Sequence, residues 1–198
     1  LEIPERAQYL RVLLNELTRI QSHLVWLGTH AMDIGALTVF LYCFREREDI
    51  LRIFENVSGQ RMMTSYFRVG GLALEPPLDF YKQVQDFLNI MPDRITQYEG
   101  LLTANPIWMK RLKGVGILSA ADAIALGVTG PPLRASGVDW DLRRDMPYSG
   151  YEKFDFKVPV SNDCDVFARY DVRMDEMRES VKICQQALDG MPTGPRLE

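Results

Sequence analysis

The strongest constraint on this chain's fold is a run of apolar residues near its start. Leu10, Leu13, Leu14, Leu17, Ile20, Leu24 and Leu27 recur at three- and four-residue steps, the spacing that places side chains on one stripe of an α-helix. A stripe of this length needs a second apolar surface to cover it, so the spacing predicts a long helix over 6–34 packed within a helical bundle. Pro4 suits its first turn. After Gly35 the pattern resumes and predicts a second helix over 36–57, closed by Ser58-Gly59. Arg61 to Leu74 is Gly-rich at Gly70-Gly71 and reads as a strand fragment or structured loop.

Glu75-Pro76-Pro77 then breaks the chain, and a third helix is expected over 79–102, bent or divided at Pro92, which lacks an amide hydrogen and clashes with the preceding turn. Shorter helices are expected over 106–113 and 119–126. These helices make up a bundle over 1–126. The stretch 127–162, with Gly130-Pro131-Pro132, Pro147, Gly150 and Pro159, reads as an extended Pro/Gly-rich arm with a short strand over Phe154 to Val158. A connection of this length is usually functional or packed on something else. The segment 163–198 supplies a C-terminal helix, Asp165 to Leu188, that packs back on the bundle. The expected class is mainly α, a helical bundle with a short β or irregular arm.

Composition excludes several functions. A net charge of −4 gives no general attraction to phosphate backbones and no basic stripe is evident, so nucleic acid is not an expected partner. Apolar runs such as Ala36 to Phe44 fall far short of the roughly 20 residues a bilayer span requires, so no transmembrane segment is expected. Cys43, Cys164 and Cys184 stand apart with no C-x-x-C pair, against both a disulfide framework and a cysteine-rich metal site. There is no G-x-G-x-x-G and no G-x-x-x-x-G-K, so direct NADH binding is not expected. Ser149 lies outside a G-x-S-x-G elbow. The opening LEIPERAQYL has no initiator Met, basic region or apolar leader, and reads as the start of an internal segment.

At 100° per residue, His23, Trp26, His30 and Asp33 fall within a sector of about 80° at the end of the first helix, with Thr29 close by. The bland reading is a solvated face or satisfied helix-end residues. A metal reading is poorer, because His23 and His30 lie two turns apart without a carboxylate at ligand spacing between them. Acid–base chemistry at Asp33 requires burial, which sequence does not reveal. Arg45-Glu46-Arg47-Glu48-Asp49 reads as a solvated helix face with intrahelical ion pairs.

The string Ile20-Gln21-Ser22-His23-Leu24-Val25-Trp26-Leu27-Gly28-Thr29, followed by Asp33-Ile34-Gly35-Ala36-Leu37-Thr38, resembles the hydrogenase-like, NuoD-type subunit family of respiratory NADH:quinone oxidoreductase (complex I). Further matches are Phe44-Arg45-Glu46-Arg47-Glu48, Arg68-Val69-Gly70-Gly71, Leu133-Arg134-Ala135-Ser136-Gly137-Val138, Pro147-Tyr148-Ser149-Gly150-Tyr151-Glu152 and Glu176-Met177-Arg178-Glu179-Ser180. They span nearly the whole chain in family order.

The resemblance implies the fold of the [NiFe]-hydrogenase large subunit with its cysteine ligands lost, hence no metal bound here. It implies a proton-pumping, membrane-associated translocase in which electrons pass from NADH, through FMN elsewhere in the complex, to a terminal [4Fe-4S] cluster in an adjacent subunit and on to quinone, the substrate. Partners would be the iron–sulfur subunit of B type, the subunit of C type and the quinone-channel subunit of the membrane arm, at the cytoplasmic face of the bacterial inner membrane.

Asp33 matches the family aspartate that hydrogen-bonds the histidine facing the quinone headgroup, and Thr29 would face the same cavity. That histidine and its companion tyrosine would lie upstream of Leu1, and the subunit's C-terminal portion beyond Glu198, so this segment alone is expected to be inactive. Met63 stands where many family members have a histidine near the cluster, and methionine cannot take up a proton. Two other readings remain: a hydrogenase-type metal subunit, and a helical docking module without a site of its own.

Overall fold

The computed structural model describes residues 2–198. It is mainly α-helical, with a small two-stranded sheet. Helix α1, Glu5–Ile34, carries the apolar stripe noted above, and all seven of those residues are buried. Each fully buried leucine of this kind stabilises the fold by about 1.5–3 kcal/mol. Gly35 ends α1 at φ 104° in the left-handed region, its amide reaching Met32 O at 2.9 Å while Ala36 N reaches Ala31 O at 2.8 Å. This paired closure satisfies two terminal carbonyls and turns the chain at once. Helix α2, Leu37–Ser58, then runs back against α1.

A minimal hairpin follows, β1 (Phe67–Arg68) and β2 (Gly71–Leu72), with Phe67 opposite Leu72. Arg11 of α1 clamps it by donating to Arg68 O at 2.6 Å and Gly71 O at 2.8 Å. Helix α3, Phe80–Leu102, is continuous through Pro92, not divided there. One lost hydrogen bond does not break it, because Leu88, Met91, Ile95 and Tyr98 form a buried stripe on both sides of the proline and tertiary packing outweighs the local penalty. Helix α4, Pro106–Leu112, is capped by Asn105, whose side chain accepts from Ile107 N and Trp108 N, and α5, Ala120–Ala125, is capped by Ser119.

The arm is less irregular than its composition suggests. It holds two single-turn helices, α6 (Pro131–Arg134) and α7 (Leu142–Asp145), and a 3-10 turn at Tyr151–Lys153. The strand expected over Phe154 to Val158 does not form. Phe154 and Phe156 do alternate onto the core, but no strand edge lies beside them. Side chains of the last helix supply the backbone partners instead: Gln186 Oε1 accepts from Asp155 N at 2.9 Å and Glu179 Oε2 from Lys157 N at 2.7 Å. That helix, α8, spans Val166–Asp189. It packs on α1 and α3, and α3 also packs on α2, so α1, α2, α3 and α8 enclose the core as a bundle.

Candidate functional site

The polar stripe of α1 divides by depth. His23 is buried, Trp26, Thr29 and His30 are half-buried, and Asp33 is exposed. The solvated-face reading therefore holds only at its end. His30 stacks on Trp26, with ring centroids 5.1 Å apart, and meets the edge of Trp108 at 5.4 Å. The Arg173 guanidinium lies 4.3 Å from the Trp26 ring centroid. Burial, reinforced by Arg173, lowers the His30 pKa against the upward pull of Asp33, so the ring is neutral at physiological pH. Its Nε2 is buried and has no hydrogen-bond partner among the described residues. Thr29 donates to Val25 O at 2.9 Å and Trp26 O at 3.1 Å, leaving its oxygen as an acceptor.

A cavity of about 230 Å³ opens at the helix turn, lined by Ile34, Gly35, Ala36, Asn105 and Trp108 among others, and Asp33 lies just outside that lining. Thr29 and Asp33 thus share the last turns of α1. Met63 does not join them. It follows α2 in a loop that returns along that helix, where Arg61 pairs with Glu48 and Arg47 Nη2 approaches Met62 Sδ at 3.3 Å, and it stands 95% exposed.

The Arg45–Asp49 segment departs from a solvated face at one position. Glu46 is buried and accepts from Tyr98 OH at 2.6 Å, with Arg94 3.2 Å away. Exposed pairing holds for Arg52 with Glu48 and Asp49.

A larger constellation joins residues of several family-matching strings, Arg134, Tyr151, Glu176 and Ser180, to Glu16, Asp141 and Arg143, which sequence reasoning does not single out. Glu16 and Glu176, both fully buried, sit on α1 and α8 and bind residues of the arm. Glu16 accepts from Arg143 Nη1 at 3.2 Å, Tyr151 OH at 2.7 Å and Ser180 Oγ at 2.6 Å. Arg143 also grips Asp141, Nη2 to Oδ2 at 2.7 Å, and Asp141 lies 3.5 Å from Arg134. Arg134 Nε donates to Glu176 Oε1 at 2.9 Å, and the other Glu176 oxygen meets His23 Nε2 at 2.7 Å. Charges alternate along this chain of contacts.

Burial alone would raise the Glu176 carboxyl, but His23 and Arg134 outweigh it and hold the group at about 2. Asp141 is likewise held at about 2 against burial by Arg143. Burial lowers the His23 pKa despite Glu176, leaving a neutral ring. The sequence signal for this network is present but faint: Glu16 interrupts the apolar stripe between Leu14 and Leu17, and Glu176 stands between Met174 and Met177.

A family described as respiratory-chain NADH dehydrogenase, 49 Kd subunit, matches residues 33–198. The chain belongs to this family. Similar proteins are D-type subunits of NADH-quinone oxidoreductase. One from Koribacter versatilis is 66% identical over 98% of this chain and 48% of its own length. Another, from Solibacter usitatus, is 65% identical over 98% of this chain and 47% of its own length, and that of Geotalea uraniireducens is 60% identical over 100% and 50%. The chain spans about half the length of the curated relatives it matches. Among the described residues of this 49 kDa family member, no three His, Cys, Asp or Glu side chains converge on a metal site, and no helix is long and apolar enough to cross a membrane.

Proposed function

We propose that these residues form part of the wall of a quinone-reduction pocket in a proton-pumping NADH:quinone oxidoreductase. The pocket would lie beside the terminal [4Fe-4S] cluster of a neighbouring B-type subunit, at the cytoplasmic face of the membrane, with C-type and quinone-channel subunits as further neighbours. Electrons originating from NADH reach quinone there, and two electrons with two protons give quinol. Family membership carries the reading, and the end of α1 supports it: Asp33 offers an exposed carboxylate one turn from the neutral His30 ring, next in sequence to a cavity whose lining starts at Ile34 and Gly35.

In this role Asp33 holds the family's headgroup-facing histidine, a residue other than His30, in one tautomer and stabilises its cationic form, so that the pair can deliver a proton. Thr29 contributes its oxygen as an acceptor. Because Asp33 is exposed on this chain, the enclosure that such chemistry needs comes from protein outside these residues. Met63, in place of a protonatable side chain, would leave the midpoint potential of the neighbouring cluster less dependent on pH.

Asp33→Asn in the intact complex tests the proposal. Quinone reductase activity is expected to fall about a hundredfold, the lower end of what positioned acid–base groups contribute, with assembly unchanged. Full activity in a normally assembled complex would leave the docking-module reading, which the exposed Met32, Leu37 and Leu41 favour.

A further inference from the structure

A second cavity, of about 190 Å³, opens where the arm meets α1. Its lining includes Arg19, Thr129, Gly130, Asp141, Arg143 and Tyr148. Thr29 is ten positions further along α1 from Arg19, about 15 Å at the helical rise, so this is not the site considered above. Arg143 is 2% exposed and faces inward, fully engaged by Glu16 and Asp141.

Arg19 is engaged differently. Its Nε reaches Glu16 at 3.2 Å, but neither Nη1 nor Nη2 hydrogen-bonds any described residue. Glu16 has nothing left to offer them, since its two oxygens already accept from Arg143, Tyr151 and Ser180. The one carboxylate in the lining, Asp141, is equally occupied: Oδ1 accepts from Arg143 N at 2.9 Å and Nε at 3.0 Å, and Oδ2 from Nη2 at 2.7 Å. The Gly130 amide and the Thr129 and Tyr148 hydroxyls also make no hydrogen bond among the described residues. The wall therefore offers donors without a protein partner among the described residues, a guanidinium fork included, while its one carboxylate is used. A fork of parallel N–H groups is the geometry that receives two oxygens of one planar or tetrahedral anion.

We propose that this cavity binds a small oxyanion, a phosphate or carboxylate group, seated on the outer nitrogens of Arg19 and closed by Thr129, Gly130 and Tyr148. The anion would pin the Thr129-Gly130 turn to α1 and so tie the arm to the bundle at a second point beside the buried ion chain.

The test is NMR titration of the purified chain with inorganic phosphate and, separately, sodium acetate, at constant ionic strength with chloride as the control. Saturable shifts of the Gly130 amide and the Arg19 Nε–H with phosphate or acetate, absent with chloride, are expected, and the stronger ligand identifies the tetrahedral or planar group. Arg19→Lys keeps the charge but loses the fork and should weaken binding about tenfold, and Thr129→Val, at an exposed position that the fold does not need, about threefold. Linear shifts matching those with chloride, or affinity unchanged in both variants, would overturn the proposal.

Discussion

Glu176 loses its water when α8 docks on α1, and it stays ionised only because Arg134 and His23 replace that water with directed donors. The same exchange sets how stability depends on pH. For Glu176 and Asp141 the folded pKa, about 2, lies below the unfolded value. Their contribution is therefore complete above the unfolded carboxyl range and is lost as pH falls toward 2. His23 acts at higher pH with the same sign. Its folded pKa is lowered from 6.5, so the unfolded chain takes up the proton first and stability declines as pH drops below about 6.5.

Urea unfolding at pH 7.5 and 5.5 should show the wild-type chain losing about 1 kcal/mol from this group across that interval. His23→Gln keeps an amide donor for Glu176 but cannot titrate, so the difference between the two proteins isolates the histidine from other groups such as Asp171, which burial and Asp175 raise to about 6. Parallel stability curves for the two would remove His23 from the account.

Among the elements, the α1–α2 pair depends on Gly28. A Cβ there would meet Cys43 Cβ, Phe40 Cα and the Phe44 ring, each at 3.4 Å, so the helices fit a methyl group and nothing larger. Gly28→Ala is expected to be neutral or to stabilise by up to about 1 kcal/mol through helix propensity. Gly28→Leu should cost about 1–3 kcal/mol by wedging the pair apart, and chemical denaturation would measure both. A leucine tolerated without loss would mean that the two helices are not held this closely. Sequence does not reveal this position, because a glycine inside an apolar periodic run looks like a weak helix residue until its neighbour is placed. The long helices themselves are readable, since burial along α1, α2, α3 and α8 follows each one's own period. What misleads is local chemistry taken alone. Pro92 is outweighed by a stripe it does not interrupt, and the Phe154–Val158 alternation finds side chains in place of a strand.

For the molecule as a whole, what sequence lacks is long-range. Asp141 and Arg143 look like ordinary surface charges in sequence, the apolar settings of Glu16 and Glu176 hint at burial without naming a partner, and only the fold brings α1, the arm and α8 together around them. Asp33 and Thr29 stand out through resemblance, not through spacing, which leaves them no more than polar residues at a helix end. The same global view exposes an apolar surface that no single helix reveals. At the tip of the α1–α2 hairpin Met32, Leu37 and Leu41 are 41%, 56% and 59% exposed, and Ile107, 61% exposed, approaches from α4 across the cavity at Gly35. Leu37 and Leu41 stand one turn apart on α2 and so form a continuous ridge. Contiguous apolar surface of this kind marks a place that another protein covers, and drives self-association when it is bare. The purified chain should therefore sediment faster as its concentration rises into the micromolar range. Leu37→Lys with Leu41→Lys, which places two like charges on the ridge without touching the core, should return it toward a single slow species with little change in unfolding free energy. A sedimentation coefficient that does not respond to the two lysines would show that association, if present, arises at another face.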